Sequence, residues 1–359
     1  MIPTRLSIHQ RTLFSSCGLF FVLIAAGLPV NCQSSDSPLL ALLVKEIKLS
    51  NTEMAALTQG RALAKILKNK DKREVAALGI IRINMTQEEF LKRYRDIVTF
   101  KQGPEVMQIG KFSNPARASD ISALKLESGD FDDLKSCKVG DCGLKLSSEM
   151  IDKLGVTVKS GAAAKEETNA AFQKLLVDYV NDYLQRGNAA LMVYNDDKHP
   201  FSVTDDHASL MTSATVLQEY APELVKYITE FPKGQLAGTE DFVYWSKEKF
   251  GLKPVISVTH GIIYQRVHEN RKELLIATKQ LFADHYFDSS LGLAIFTEQP
   301  ATSKMPGTYL IYVNHSRADA IKGFLTGLRR SVVESKSLTA LRNNLKLAKE
   351  RLERPVARS

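Results

Sequence analysis

Three histidines fall at strand-like positions where an imidazole could move a proton or hold a metal. In the stretch Pro254-Val-Ile-Ser-Val-Thr-His-Gly-Ile-Ile-Tyr264, one parity reads Ile256, Val258, His260, Ile262, Tyr264. His260 and Tyr264 therefore share the apolar side of a strand. His315 follows Tyr309, Ile311 and Val313 in the same way, and His285 ends another strand beside Tyr286. If register brings the three imidazoles together, they form a metal site or, with Asp284, a hydrolase-like acid/base. The plainer alternative is a set of core or rim histidines satisfied by hydrogen bonds. That second reading is adopted here, so no catalytic residue, metal ligand or cofactor is expected. Lys279 interrupts an apolar strand and reads as facing solvent, with a cavity as the alternative. Asn314, Arg317 and Asp319 lie where the last strand meets a helix. They read as a cap with a local ion pair, and an anion site at the helix start is the sharper alternative.

Two other groups could carry chemistry. Asp196, Asp197 and His199, followed by Asp205, Asp206 and His207, gather carboxylates and imidazoles within twelve residues. The glycine and terminal glutamate of a calcium loop are missing, so a solvated loop around Pro200 is expected. Cys137 and Cys142 flank Lys138-Val-Gly-Asp141. A redox pair has two intervening residues, haem attachment needs histidine where Gly143 stands, and zinc needs two more ligands. In an exported chain the pair reads as a local disulfide, worth roughly 2 kcal/mol through loop closure.

Alternating strands must position these residues. The phrases 254–264, 273–282, 291–296 and 309–315 are rich in Val, Ile, Tyr and Phe and are broken by turn-formers such as Asn270 and Pro306-Gly307. Short links between them predict an antiparallel meander. Glu74–Ile83, Val106–Phe112 and Ile121–Leu126 are further strand candidates, and Asp130–Asp133 reads as an acidic turn. Residues 148–253 read as almost wholly helical. From Ile321 to Leu352 an apolar stripe of threes and fours predicts a long closing helix, with Gly323 and Gly327 one turn apart.

Length and charge bound the rest. With 359 residues and 44% hydrophobic content the chain can bury a sizeable core. Its net charge of +8 is concentrated in Arg317–Ser359, where eleven Lys/Arg face four Asp/Glu. Arg329, Arg330, Arg342, Lys346, Lys349, Arg351 and Arg354 would form a solvated basic face, with anionic lipid headgroups as a peripheral contact. Nucleic acid is not expected as a partner. Arg5 and Arg11 precede the apolar run Leu13–Leu28, the pattern of a secretory signal peptide. Periplasmic or extracellular location follows as an expectation; Asn31 argues against lipidation at Cys32. The expected organisation is a signal peptide (1–32), a helical linker (33–73), the first part of an α+β domain (74–147), an all-helical insertion (148–253) and the second part with its basic helix (254–354).

A strand, a helix headed by Thr86-Gln-Glu-Glu-Phe90, several antiparallel strands and a long final helix resemble the helix-grip, or START-like, superfamily. That resemblance implies a curved antiparallel sheet gripping the C-terminal helix, with a cavity for an apolar ligand. Trp245-Ser-Lys-Glu-Lys-Phe-Gly251 and Tyr312-Val-Asn-His-Ser-Arg317 resemble a group of exported bacterial proteins, which implies no chemistry. The expected function is binding of a hydrophobic or amphipathic small molecule between the sheet and that helix. His260, Tyr264, Lys279, His285, Tyr286, Asn314, His315 and Arg317 are its candidate ligand-binding residues. A histidine-dependent hydrolase and a non-catalytic envelope interaction protein are the alternatives.

Overall fold

The computed structural model describes residues 38–249, 253–268, 270–318 and 326–354, with backbone alone for 326–329. The signal stretch, Asp319, Ile321 and Gly323 lie outside the described residues. Helices α1 (Pro38–Ile47) and α2 (Asn51–Thr58) precede strands β1 (Leu63–Leu67) and β2 (Glu74–Arg82). Then come α3 (Gln87–Arg95), α4 (Ile97–Lys101) and β3 (Val106–Lys111). The next helices are α5 (Ser128–Ser136), α6 (Ser148–Thr157) and α7 (Ala164–Arg186). A small hairpin, β4 (Val193–Tyr194) and β5 (Phe201–Ser202), leads to α8 (Val203–Ser213), α9 (Thr215–Tyr220) and α10 (Pro222–Glu230). Strands β6 (Thr239–Glu248), β7 (Val255–His268), β8 (Arg271–Ala283), β9 (Phe287–Gln299) and β10 (Gly307–Ala318) follow, then α11 (Thr326–Glu353).

Local chemistry starts several of these elements. Ser50 and Thr86 cap α2 and α3 through reciprocal bonds with Glu53 and Glu89, satisfying amide groups that the first turn leaves free. Strands β6 to β10 are consecutive antiparallel neighbours, as short links require. The full sheet has eight strands in the order β1-β2-β10-β9-β8-β7-β6-β3. It is open, ending at β1 and β3, and does not close around the terminal helix. The protein is thus α+β, with an antiparallel sheet, a helical insertion and a long C-terminal helix.

Each sheet face is buried under different helices. On the first face, Leu78 and Ile80 of β2, Ile262 of β7, Leu293 of β9 and Val313 of β10 join the core formed with α1 and α6 to α10. On the second, Ile81, Ile276, Phe296 and Leu310 meet α3, α4 and α11. Phe90 of α3 stacks on Phe296 with ring centroids 4.8 Å apart. Gly79 makes the approach of α11 possible: a Cβ there would lie 2.6 Å from Leu345 Cδ1. Strand β2 therefore presents backbone to the helix, and Leu341 and Leu345 fill the space.

Several local expectations need correction. Ile121–Leu126 forms no strand; it is a 3-10 turn followed by irregular chain. Its backbone is satisfied by side chains instead, with Gln173 bonding Leu124 O and Asn169 bonding Leu126 N. Asp130–Asp133 lies inside helix α5, where Phe131 and Leu134 are buried. The helical reading of 148–253 fails at β6, which pairs with both β7 and β3. Phe242 and Tyr244 point to the second face of β6, and Val243 and Trp245 to the first. The strand β1 carried no recognised pattern. Asp206 and His207 are buried in α8, not solvated. Asn314 is a strand residue of β10, not a helix cap, and Arg317 on the same strand pairs with the remote Asp71, Glu74 and Asp206 rather than locally.

Candidate functional site

The first sheet face carries a row of polar side chains through an otherwise apolar layer. Register places His260 opposite Lys279, Lys279 opposite Leu291, and Leu291 opposite His315. His260 and His315 are three strands apart, about 14 Å at ordinary strand spacing. They cannot share one metal ion. Each of the three strand histidines has its own carboxylate within hydrogen-bond reach.

His260 is 1% exposed. Its Nε2 lies 2.8 Å from Asp241 Oδ1, and its Nδ1 lies 2.9 Å from the Tyr183 hydroxyl. A carboxylate can only accept, so the neutral ring carries its proton on Nε2 and takes the tyrosine O–H at Nδ1. Burial lowers its pKa, against the opposing pull of Asp241. Lys279, expected in solvent, is 2% exposed. Its amine donates to Asn188 Oδ1 and lies 5.3 Å from the centre of the Tyr183 ring. Burial lowers its pKa to about 7. Next to it, His207 Nε2 donates to Gln280 O at 2.6 Å. Burial, and secondarily the Lys279 charge, bring that histidine down to about 3.

A second cluster joins the ends of β2 and β10 to α8. Arg317 Nη1 contacts Asp206 Oδ1 at 2.5 Å, while Nη2 contacts Glu74 Oε2 at 3.2 Å and Asp71 Oδ2 at 3.1 Å. His315 Nδ1 is 2.7 Å from Glu74 Oε1, and Ser213 Oγ donates to Glu74 at 2.9 Å. Burial pushes the Glu74 carboxyl up, but His315, Ser213 and Arg317 outweigh it and hold the group below its ordinary value. Such a network fixes the docking of α8 on the sheet.

A third cluster lies at the turn between β8 and β9. His285 Nε2 is 3.0 Å from Asp130 Oδ1 of α5, and both residues are buried. Asp284 Oδ1 accepts from Ile256 N at 2.8 Å. Burial raises the Asp284 carboxyl to about 7, with the charge of His285 opposing. For His285, burial lowers the pKa, but the Asp130 bond and the Asp284 charge outweigh it and leave the imidazole above its ordinary value. Tyr286, with φ of 60°, makes the turn, and its hydroxyl accepts from Lys253 N at 3.2 Å.

The eight expected ligand residues therefore do not meet in one place. His260 and Lys279 are neighbours, His315 and Arg317 share Glu74, and His285 with Tyr286 stands apart. Tyr264 donates to Glu223 Oε1 at 3.2 Å. Asn314 alone occupies the second face, where it bonds Ser290 and Ser316. The histidine clusters thus lie on the face opposite α11. Tyr183, Asp241, Glu74 and Asp130 complete these clusters and were not identified beforehand, while Asp206, noted as part of a solvated carboxylate–histidine loop, joins them as a buried partner of Arg317. One signal pointed towards them: a cation or imidazole of core parity needs a buried counter-group.

On the second face, a groove of about 1030 Å³ opens between α3–α4 and the last turns of α11. Phe100, Val106, Leu347, Ala348 and Leu352 give it apolar walls, and Lys92, Lys101 and Glu248 mark its polar borders. Lys101 Nζ pairs with Glu248 Oε1 at 2.9 Å and lies 5.3 Å from the centre of the Tyr244 ring. The helix face around this groove is not freely solvated. Arg351 donates to the carbonyls of Thr99, Phe100 and Gln102, and Lys349 to Arg82 O. Arg330 and Arg342 likewise bond Lys72 O and Ala64 O. These cations fasten the helix to the end carbonyls of α4 and to strand-edge backbone. Among the described residues, no helix is long and apolar enough to cross a membrane. Neither a protein-family model nor a curated protein matches this chain.

Proposed function

We propose that the protein binds a hydrophobic or amphipathic small molecule in the groove between α3–α4 and α11, outside the cytoplasm. The groove carries this reading: its volume of about 1030 Å³ suits a lipid-like ligand, and it sets apolar Phe100, Val106, Leu347, Ala348 and Leu352 beside charged side chains such as Lys92, Arg93 and Arg351, a lining that suits an amphipathic molecule. The ligand lies between the C-terminal helix and the rest of the fold, in a helix-grip-like manner. Its apolar part packs on Phe100, Leu347 and Leu352, and its polar end reaches the border near Lys92 and Lys101. The basic–apolar start of the chain supports export, where a carrier of such a molecule would act.

A histidine-dependent hydrolase has weaker support. His260, His285 and His315 are 1%, 3% and 4% exposed, each is bound to a carboxylate, and none borders this groove. Titration of the full chain with a fluorescent fatty acid tests the binding reading. Ala348→Trp would fill the groove and should weaken binding at least about tenfold, the effect of losing roughly 1.4 kcal/mol. Unchanged affinity in that variant, or no saturable binding by the wild type, rules the reading out.

A further inference from the structure

We propose that Asp130, Asp284 and His285 form a centre for one divalent transition-metal cation of the zinc or manganese class, tying α5 to the turn between β8 and β9. One ligand atom from each residue lies within 4.8 Å of the other two. The three are 2%, 0% and 3% exposed, so the donors face one another within the protein. Two carboxylates with an imidazole make a mixed oxygen–nitrogen set, which suits borderline cations better than the all-oxygen shells of calcium or magnesium.

A second observation points to a ligand independently of the clustering. Asp284 Oδ1 is occupied by the Ile256 amide, but Oδ2 is buried and accepts no hydrogen bond from any described residue. A carboxylate oxygen in that condition calls for a cation. Lys253, whose charge reaches His285, is already held by Asp133 Oδ2 at 2.5 Å. Two carboxylates and a neutral imidazole leave a formal charge of −2, which a dication balances.

The surroundings already orient the donors. Asp130 Oδ2 accepts from Glu127 N at 2.8 Å, leaving Oδ1 for the metal, and the Ile256 amide fixes Asp284. Asp130 Oδ1 and His285 Nε2, now 3.0 Å apart, hold a proton between them. As the cation binds, the neutral ring shifts that proton from Nε2 to Nδ1, so the imidazole stays neutral and each donor presents a lone pair. Cys137, bonded to Cys142, caps the other end of α5. Metal and disulfide together hold the helix at both ends.

The test uses the full chain, produced with added ZnCl2 and MnCl2 and purified without chelator. Elemental analysis should find about one zinc or manganese per chain, and less than about a tenth of that in Asp284→Asn. After EDTA treatment, ZnCl2 or MnCl2 should raise the wild-type melting temperature by at least about 2 °C and leave Asp284→Asn unmoved. Should that variant fold poorly, His285→Gln gives the same comparison. Metal-free wild type that ignores both salts overturns the proposal. So do variants that retain full metal, and a shift produced by CaCl2 alone.

Discussion

At the scale of the residue, the two basic side chains buried most deeply on the first sheet face, among the described residues, are held in opposite ways. Arg317 is surrounded by carboxylates, whereas Lys279 meets an amide oxygen and an aromatic ring. The lysine takes up its proton near pH 10.5 in the unfolded chain and near 7 when folded. Between those values the unfolded chain binds the extra proton, so this group makes stability rise with pH. The cost of keeping it buried is greatest below pH 7. Lys279 faces His260, His207, Tyr183 and Asn188, none of which supplies a carboxylate. Lys279→Met should therefore stabilise the protein by about 1–3 kcal/mol at pH 6 and flatten the rise between pH 7 and 10. Urea unfolding at several pH values checks this; an unchanged slope would assign the rise to other groups. The opposite sign holds for Arg317. Arg317→Leu strands Glu74 and Asp206 in the interior and should cost about 3–5 kcal/mol in the same measurement.

At the scale of the element, α11 sits where it does because β2 lacks a side chain at Gly79. Gly79→Ala would place a methyl 2.6 Å from Leu345 Cδ1 and 3.0 Å from Leu341 Cγ. Overpacking of that kind costs about 1–3 kcal/mol. Because the Leu345 terminus is flexible, Leu345→Ala in the same chain should recover part of the loss, with a coupling of about 0.5–3 kcal/mol. A thermal-unfolding cycle on the four proteins reads it directly; strict additivity would mean that the two residues do not meet. Much at this scale was legible in advance. The meander from β7 to β10 follows from alternation and turn residues, and the Thr86 cap from its Glu89 partner. Strand parity also grouped His260 with Tyr264 and His315 with Val313. Parity cannot say which helices cover a face, so the histidines were expected beside α11 and lie on the opposite side. Nor can it reveal counter-charges remote in the chain: Glu74 and Arg317 meet across 243 residues. Lys279 was misjudged for the same reason, since its strand gave no sign that Asn188 would cover it.

At the scale of the whole molecule, the sheet separates two kinds of work. Its first face is crossed by hydrogen-bonded and ionic clusters that determine how the helical layer docks. Its second face is mainly apolar and leaves a groove beside α11. The two faces should therefore respond to mutation independently, because distant sites without shared partners contribute additively. His260→Ala removes the buried ring between Asp241 and Tyr183, strands the Tyr183 hydroxyl in the interior and should cost about 2–4 kcal/mol of stability. The groove is built from other elements, so fatty-acid affinity in the folded variant should stay within about twofold of wild type. Ala348→Trp makes the converse prediction. At a half-buried position on the helix it should change stability by less than about 1 kcal/mol while lowering affinity at least about tenfold. Measuring both quantities for both variants separates the alternatives. Loss of affinity in His260→Ala with its fold intact would move the ligand to the histidine face and restore the case for chemistry there. Independent responses would instead leave the buried histidines as structural groups and the groove as the place where the molecule meets its ligand.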